Sequence, residues 1–148
     1  MSKKILPPTY LLLAILAMLV LHFTFPLRRL IPMPWNLVGL IPLLLGIMIN
    51  LYADKALHVA NTTVKPFIEA NVLVTGGVYG ISRHPMYLGF VSVLAGVAVL
   101  LGSLSPWVIV PIFSILMEVV FIRVEERMLE EKFGPAWLAY QKKVRRWI

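Results

Sequence analysis

Four apolar stretches separated by short polar breaks run along the chain: Tyr10 to Leu27, Trp35 to Ala53, Met86 to Leu104 and Pro106 to Ile122. Each approaches the roughly 20 residues that an α-helix, rising about 1.5 Å per residue, needs to cross about 30 Å of hydrocarbon. The pattern predicts an all-α, polytopic membrane helix bundle of about four transmembrane helices in a single domain, residues 1–148. Lys3 and Lys4 precede the first stretch as in a signal peptide, but Phe25-Pro26-Leu27-Arg28-Arg29 follows it where a small-residue cleavage site would stand. A retained helix is expected.

The breaks carry their own signals. Helix one is expected to end near Pro26, and Pro32 and Pro34 cannot donate backbone hydrogen bonds, so they hold the following linker out of helix. Trp35 is placed as an interfacial anchor. In the second stretch Pro42 and Gly46 mark either a kink or a close approach by a neighbour. In the third, Gly89, Ser92 and Gly96 form a small-residue stripe on which another helix can pack. Leu104-Ser105 is a tight turn without charge.

The segment from Asp54 to Pro85 is the only long polar stretch between helices, and such loops often carry function. Within it Val72-Leu73-Val74 reads as a short extended piece ending in a Thr75-Gly76-Gly77 turn. Helix three is expected to start at Pro85, capped by Ser82 or His84. After Ile122 the run Arg123 to Phe133 continues helix four as an amphipathic cytosolic extension, broken by Gly134-Pro135. A second short helix then carries Trp137, Tyr140 and Val144. The basic tail Lys142 to Arg146 is expected on the membrane surface.

Composition supports a membrane solvent: 59% of the 148 residues are hydrophobic and 14% charged. The absence of cysteine excludes disulfides, thiolate metal sites and a cysteine nucleophile. A net charge of +7 suits nucleic acid in a soluble protein, but here it reads as topology and contact with anionic lipid, so no nucleic-acid partner is expected. With a cytosolic N-terminus, twelve of the 14 Lys and Arg fall inside and only Arg28 and Arg29 outside. Both termini, the polar loop and the tail then share the cytosolic face.

Two clusters on that face carry candidate chemistry. In Gly76-Gly77-Val78-Tyr79-Gly80-Ile81-Ser82-Arg83-His84-Pro85-Met86-Tyr87-Leu88-Gly89 a glycine-rich turn runs into a helix start. Its free N–H groups favour an anion and Arg83 could clamp one, although Arg83 snorkelling to lipid phosphate with His84 as a simple cap explains the residues equally well. Glu125-Glu126 could bind ribose hydroxyls or an ammonium group, or steady a sulfonium. Ordinary surface pairing with Arg123 is the plainer reading of that pair. Glu118, the single acid inside a predicted span, is a functional candidate by position, although it lies about one turn from the polar end and a carboxylate snorkelling to water explains it equally well.

Taken together, these blocks resemble the isoprenylcysteine carboxyl methyltransferase and phospholipid methyltransferase family of integral membrane enzymes. The resemblance runs from about Thr62 to the C-terminus. It rests on Thr75-Gly76-Gly77-Val78-Tyr79, on Arg83 to Gly89, on Glu125-Glu126 with Leu129, and on Phe133-Gly134 followed by Trp137, Tyr140 and Val144-Arg145. It implies S-adenosylmethionine as cofactor, no metal, and a lipophilic methyl acceptor at the membrane, carboxylate or amine. It also implies Tyr79, Arg83, His84, Tyr87, Glu125 and Glu126 as cofactor contacts, with Arg83 and Glu125 in catalytic roles.

Two alternatives remain at this stage. Sterol reductases have an Arg-His-Pro-Asn-Tyr block and a Tyr-Gly-x-x-Trp-x-x-Tyr tail that binds NADPH. Here Phe133-Gly134-Pro135-Ala136-Trp137-Leu138-Ala139-Tyr140 is similar, but Met86 replaces the Asn. A non-catalytic membrane scaffold is the other. The Gly-x-Gly element of animal phospholipid N-methyltransferases is missing around Asn50 to Asp54, which weakens a direct phospholipid assignment.

Overall fold

A computed structural model describes residues 6–63 and 67–148. Lys3, Lys4 and Lys65, which enter the charge count above, lie outside the described residues.

Helix α1 spans Pro7–Thr24, with prolines in its first turn where no N–H is needed. A 3-10 turn, Trp35–Gly39, leads into α2, Leu40–Val59. Helix α3 spans Pro85–Leu101 and is followed by a 3-10 turn at Ser105–Val108. Next come α4, Ile109–Met117, a π-helical turn at Glu118–Ile122 and α5, Arg123–Phe133, as one continuous rod from Ser105 to Phe133. Gly134 at φ +47° ends it, and α6 follows over Pro135–Lys143.

Among the described residues three helices are long and apolar enough to cross a membrane: Pro7–Thr24, Trp35–Val59 and Ser105–Phe133. The third apolar stretch forms a helix of 17 residues that stops at Leu101, short of the expected Leu104, because Gly102 takes the left-handed conformation (φ +71°). At about 1.5 Å per residue it is about 25 Å long. No strand occurs among the described residues, and the extended piece expected at Val72 to Val74 is unpaired loop.

Helix α3 is the centre of the bundle. Tyr87, Phe90, Leu94 and Ala98 bury one side of it against Met18 of α1, Phe113 and Met117 of α4, and Phe121 and Ile122 of the π turn. Its other side carries the small-residue stripe, and α2 lies directly on it. A Cβ on Gly46 would meet the Gly89 carbonyl oxygen at 2.4 Å, and one on Gly96 would meet Leu43 at 2.6 Å. Between them Ser92 donates its hydroxyl to the Pro42 carbonyl at 2.7 Å. Gly46 therefore marks a close approach rather than a kink. Pro42 falls in the first turn of α2, where its missing N–H costs no helix bond. Leucines 12, 13, 16, 44, 45 and 51 point away from the core on α1 and α2, apolar surface suited to lipid rather than water.

The two ends of the bundle differ. At one, the linker after α1 is tied to the α3–α4 turn: Leu30 and Ile31 both donate to the Gly102 carbonyl, at 2.8 and 3.1 Å, and His22 Nδ1 meets Ser103 Oγ at 2.7 Å. At the other end the start of α1, the end of α2, the start of α3 and helices α5 and α6 converge on a cavity.

Candidate active site

The glycines before α3 let the chain fold back on itself. Gly77, at φ +60°, opens a 3-10 turn over Gly77–Gly80, which buries Tyr79, and Ser82 then donates its backbone N–H to the Val78 carbonyl. Ser82 Oγ accepts the His84 N–H at 3.2 Å, and Pro85 starts the helix. Neither expected cap bonds a helix N–H: His84 holds the N-cap position without a side-chain cap, and Ser82, three residues before Pro85, bonds the N–H of His84 itself. The same strip is laced to the C-terminal tail: Arg83 N–H donates to the Arg145 carbonyl at 3.0 Å, and Ser82 Oγ to the Arg146 carbonyl at 3.1 Å.

Arg83 and His84 are aimed at the carboxylates of α5, 42 residues away. Glu126 Oε1 lies 3.1 Å from Arg83 Nη2, 3.3 Å from His84 Nε2 and 3.2 Å from Arg146 Nε, while Oε2 takes Arg146 Nη2. The side chains of Arg83 and Glu126 are 7% and 9% exposed. Charges so withdrawn from water are tolerable only when every one has a partner, and here four groups share the compensation. Glu125 Oε2 lies 3.5 Å from His84 Nδ1, and its Oε1 accepts the Tyr87 hydroxyl at 2.6 Å. Burial opposes charge on the His84 ring, but hydrogen bonds to Glu125 and Glu126 outweigh it and hold the imidazole above its ordinary value. Burial raises Tyr140 to about 12 and Tyr79 further, so both keep neutral hydroxyls; Tyr140 donates to the Tyr79 carbonyl at 2.5 Å.

In front of this network is a cavity of about 290 Å³. Leu57, Leu73, Phe90, Met128 and Leu129 are among its apolar walls, and Tyr79, Arg83, His84, Tyr87, Glu125 and Lys132 are among its polar ones. Five of the six site residues expected from sequence therefore line one cavity. Glu126 does not line it. It sits behind Arg83 and His84 as the hub that holds them. Arg83 stacks over the Trp137 ring, 5.6 Å from its centroid, which leaves Nε and Nη1 of Arg83 and Nε1 of Trp137 buried without an acceptor. Among the described residues no cluster of three His, Asp or Glu is arranged to hold a metal ion.

Two pairings differ from the sequence expectation. Arg123 lies 3.5 Å from Glu118, not on the Glu125-Glu126 pair, because the side chains of that pair turn inward toward α3. Arg146, expected on the membrane surface, folds back to Glu118 at 3.1 Å and to Glu126. Glu118 was the available signal: a lone acid in an apolar span needs cations, and both Arg123 and the basic tail supply one.

The donors fit S-adenosylmethionine. Glu125 offers a carboxylate at the cavity wall for its ammonium or ribose hydroxyls, and the rings of Tyr79 and Tyr87 can attract its sulfonium.

The sequence profile of the phospholipid methyltransferase family matches residues 35–136. A protein-S-isoprenylcysteine O-methyltransferase of Saccharomyces cerevisiae is 34% identical over 140 residues, covering 88% of this chain and 58% of the relative. One of Schizosaccharomyces pombe is 38% identical over 77 residues, covering 50% of this chain and 31% of the relative. The fold superposes on the eukaryotic intramembrane Ras methyltransferase, isoprenylcysteine carboxyl methyltransferase, with a TM-score of 0.76 and 26% identity, over 100% of this chain and 53% of that one. The chain spans about half the length of these longer relatives.

Proposed function

Since the chain belongs to the phospholipid methyltransferase family, we propose that it is an integral membrane enzyme that moves the methyl group of S-adenosylmethionine to the carboxylate of a lipid-like, prenylated acceptor. The observation that carries this reading is the convergence of Arg83, His84, Tyr87 and Glu125 on one apolar-walled cavity at one end of the bundle.

When bound, S-adenosylmethionine supplies an electrophilic methyl carbon on a positively charged sulfur. Glu125, steadied by Tyr87 and His84, would hold its ammonium or ribose hydroxyls. Arg83 would present Nε and Nη1 to the acceptor carboxylate, aligning one oxygen for attack without withdrawing its charge through a proton. Transfer from sulfonium to carboxylate gives a neutral ester and a neutral thioether, so no general base is required. The apolar walls keep water from competing and accommodate the acceptor's hydrocarbon portion. A carboxylate matches Arg83 better than an amine does, since a cationic acceptor would face a buried guanidinium. On this reading the site faces the cytosol, where the cofactor is soluble, and the acceptor enters from the bilayer.

Incubation of the purified protein with radiolabelled S-adenosylmethionine and either an N-acylated S-farnesylcysteine or phosphatidylethanolamine vesicles tests this. Label is expected in the farnesylcysteine as a methyl ester that mild base releases as methanol. Base-stable label in the phosphatidylethanolamine would replace the carboxylate acceptor with an amine.

A further inference from the structure

Arg146 reaches two carboxylates that belong to different parts of one rod. Its Nη1 lies 3.1 Å from Glu118 Oε1, at the start of the π turn, and its Nε and Nη2 fork onto Glu126, in α5. Eight residues separate the two acids. In an unbroken α-helix at 3.6 residues per turn, positions eight apart are about 80° out of line, so one guanidinium could not readily face both. The π turn at Glu118–Ile122 is wider, absorbs the excess and brings both acids to the tail. The tail itself is held by the backbone bonds from Arg83 N–H to Arg145 and from Ser82 Oγ to Arg146.

We propose that Arg146 is a positioning residue for the cavity: by bridging Glu118 and Glu126 across the π turn it fixes the Glu126 carboxylate, which in turn sets the directions of Arg83 and His84. It is not among the residues lining the cavity. The inference that this orientation serves cofactor binding rests on the function proposed above. The network itself does not. His84 is faced by Glu125 and Glu126 of α5, by Arg83 next to it and Tyr87 of α3, by Tyr79 of the preceding turn and, through Glu126, by Arg146. Removing the Arg146 charge leaves Glu126 more negative toward His84.

The test uses the full chain in detergent micelles, with two readouts. The His84 ring is titrated by NMR, its signal identified with His84→Gln, and affinity for S-adenosylhomocysteine is measured by calorimetry. Arg146→Ala is expected to move the His84 midpoint to higher pH and to weaken S-adenosylhomocysteine about tenfold or more. Arg146→Lys is expected to restore the midpoint while leaving affinity several-fold weaker, since an ammonium cannot fork. Unchanged affinity in Arg146→Ala, or weakened affinity with an unmoved midpoint, overturns the proposal and leaves Arg146 a simple tether. Should Arg146→Ala fail to fold, Glu118→Gln, which removes one end of the bridge, is expected to weaken affinity a few-fold, and an unchanged value overturns the proposal. If the unmodified protein binds no S-adenosylhomocysteine, the proposed function fails, and the midpoint alone decides whether the bridge sets His84.

Discussion

The Tyr87 hydroxyl donates to Glu125 Oε1 at 2.6 Å, joining the first turn of α3 to α5 at the cavity wall. Tyr87 is 5% exposed. Its ring stacks 6.1 Å from Phe121, so removing only the oxygen preserves the packing. Tyr87→Phe is therefore expected to weaken S-adenosylhomocysteine about tenfold, the worth of one hydrogen bond to a charged group. Calorimetry on the purified variant checks this.

The crossing of α2 and α3 makes a stability prediction independent of function. Gly46→Ala would drive a methyl group to 2.4 Å from the Gly89 carbonyl oxygen, where backbone would have to yield. A loss of about 1–3 kcal/mol is expected, seen as a lower thermal midpoint. Gly76→Ala serves as control: nothing lies within 4 Å of its added Cβ and its φ of −98° suits any residue, so the midpoint should stay put.

Much of this was legible in the chain, for reasons that can be named. The apolar stretches and Pro85 set the ends of α1 and α3 to within three residues, but α2 runs to Val59, past the expected Ala53 and into the stretch expected as polar loop. The cluster at Arg83, His84 and Tyr87 and the Glu125-Glu126 pair were visible as dense polar groups beside apolar runs. What could not be read was which of two adjacent acids faces the cavity. That depends on the π turn, a change of helical phase that no local pattern in Glu118 to Ile122 announces. The inward fold of Arg146 was hidden for a related reason, since a basic tail after a membrane span reads first as lipid contact.

The pH response follows from His84. Its value is raised by Glu125 and Glu126 against the effect of burial, so the protonated ring is the form bound in the folded protein. The stabilisation is fully present below the ordinary histidine value and is lost as pH rises through the raised one. Thermal midpoints should fall in the native chain as pH rises above the ordinary histidine value. The fall should be reduced in His84→Gln, which cannot lose a proton there.

Ser82→Ala removes two bonds at once, one accepted from the His84 N–H and one donated to the Arg146 carbonyl. Ser82 is 1% exposed, so the His84 N–H and that carbonyl lose a partner that water does not readily replace. A loss of about 1–3 kcal/mol is expected. Hydrogen exchange should show the tail from Val144 onward opening more often.

The central claim is that the cavity bounded by Arg83, His84, Tyr87 and Glu125 carries out methyl transfer. Its most direct test is transfer of label from radiolabelled S-adenosylmethionine to an N-acylated S-farnesylcysteine by the native protein and by Glu125→Gln, with both shown to be folded by thermal unfolding. Base-labile methyl ester is expected from the native protein, with a loss of about 100-fold or more in Glu125→Gln, the scale expected when a group that orients the reactants is removed. Equal rates in the two proteins would contradict the claim.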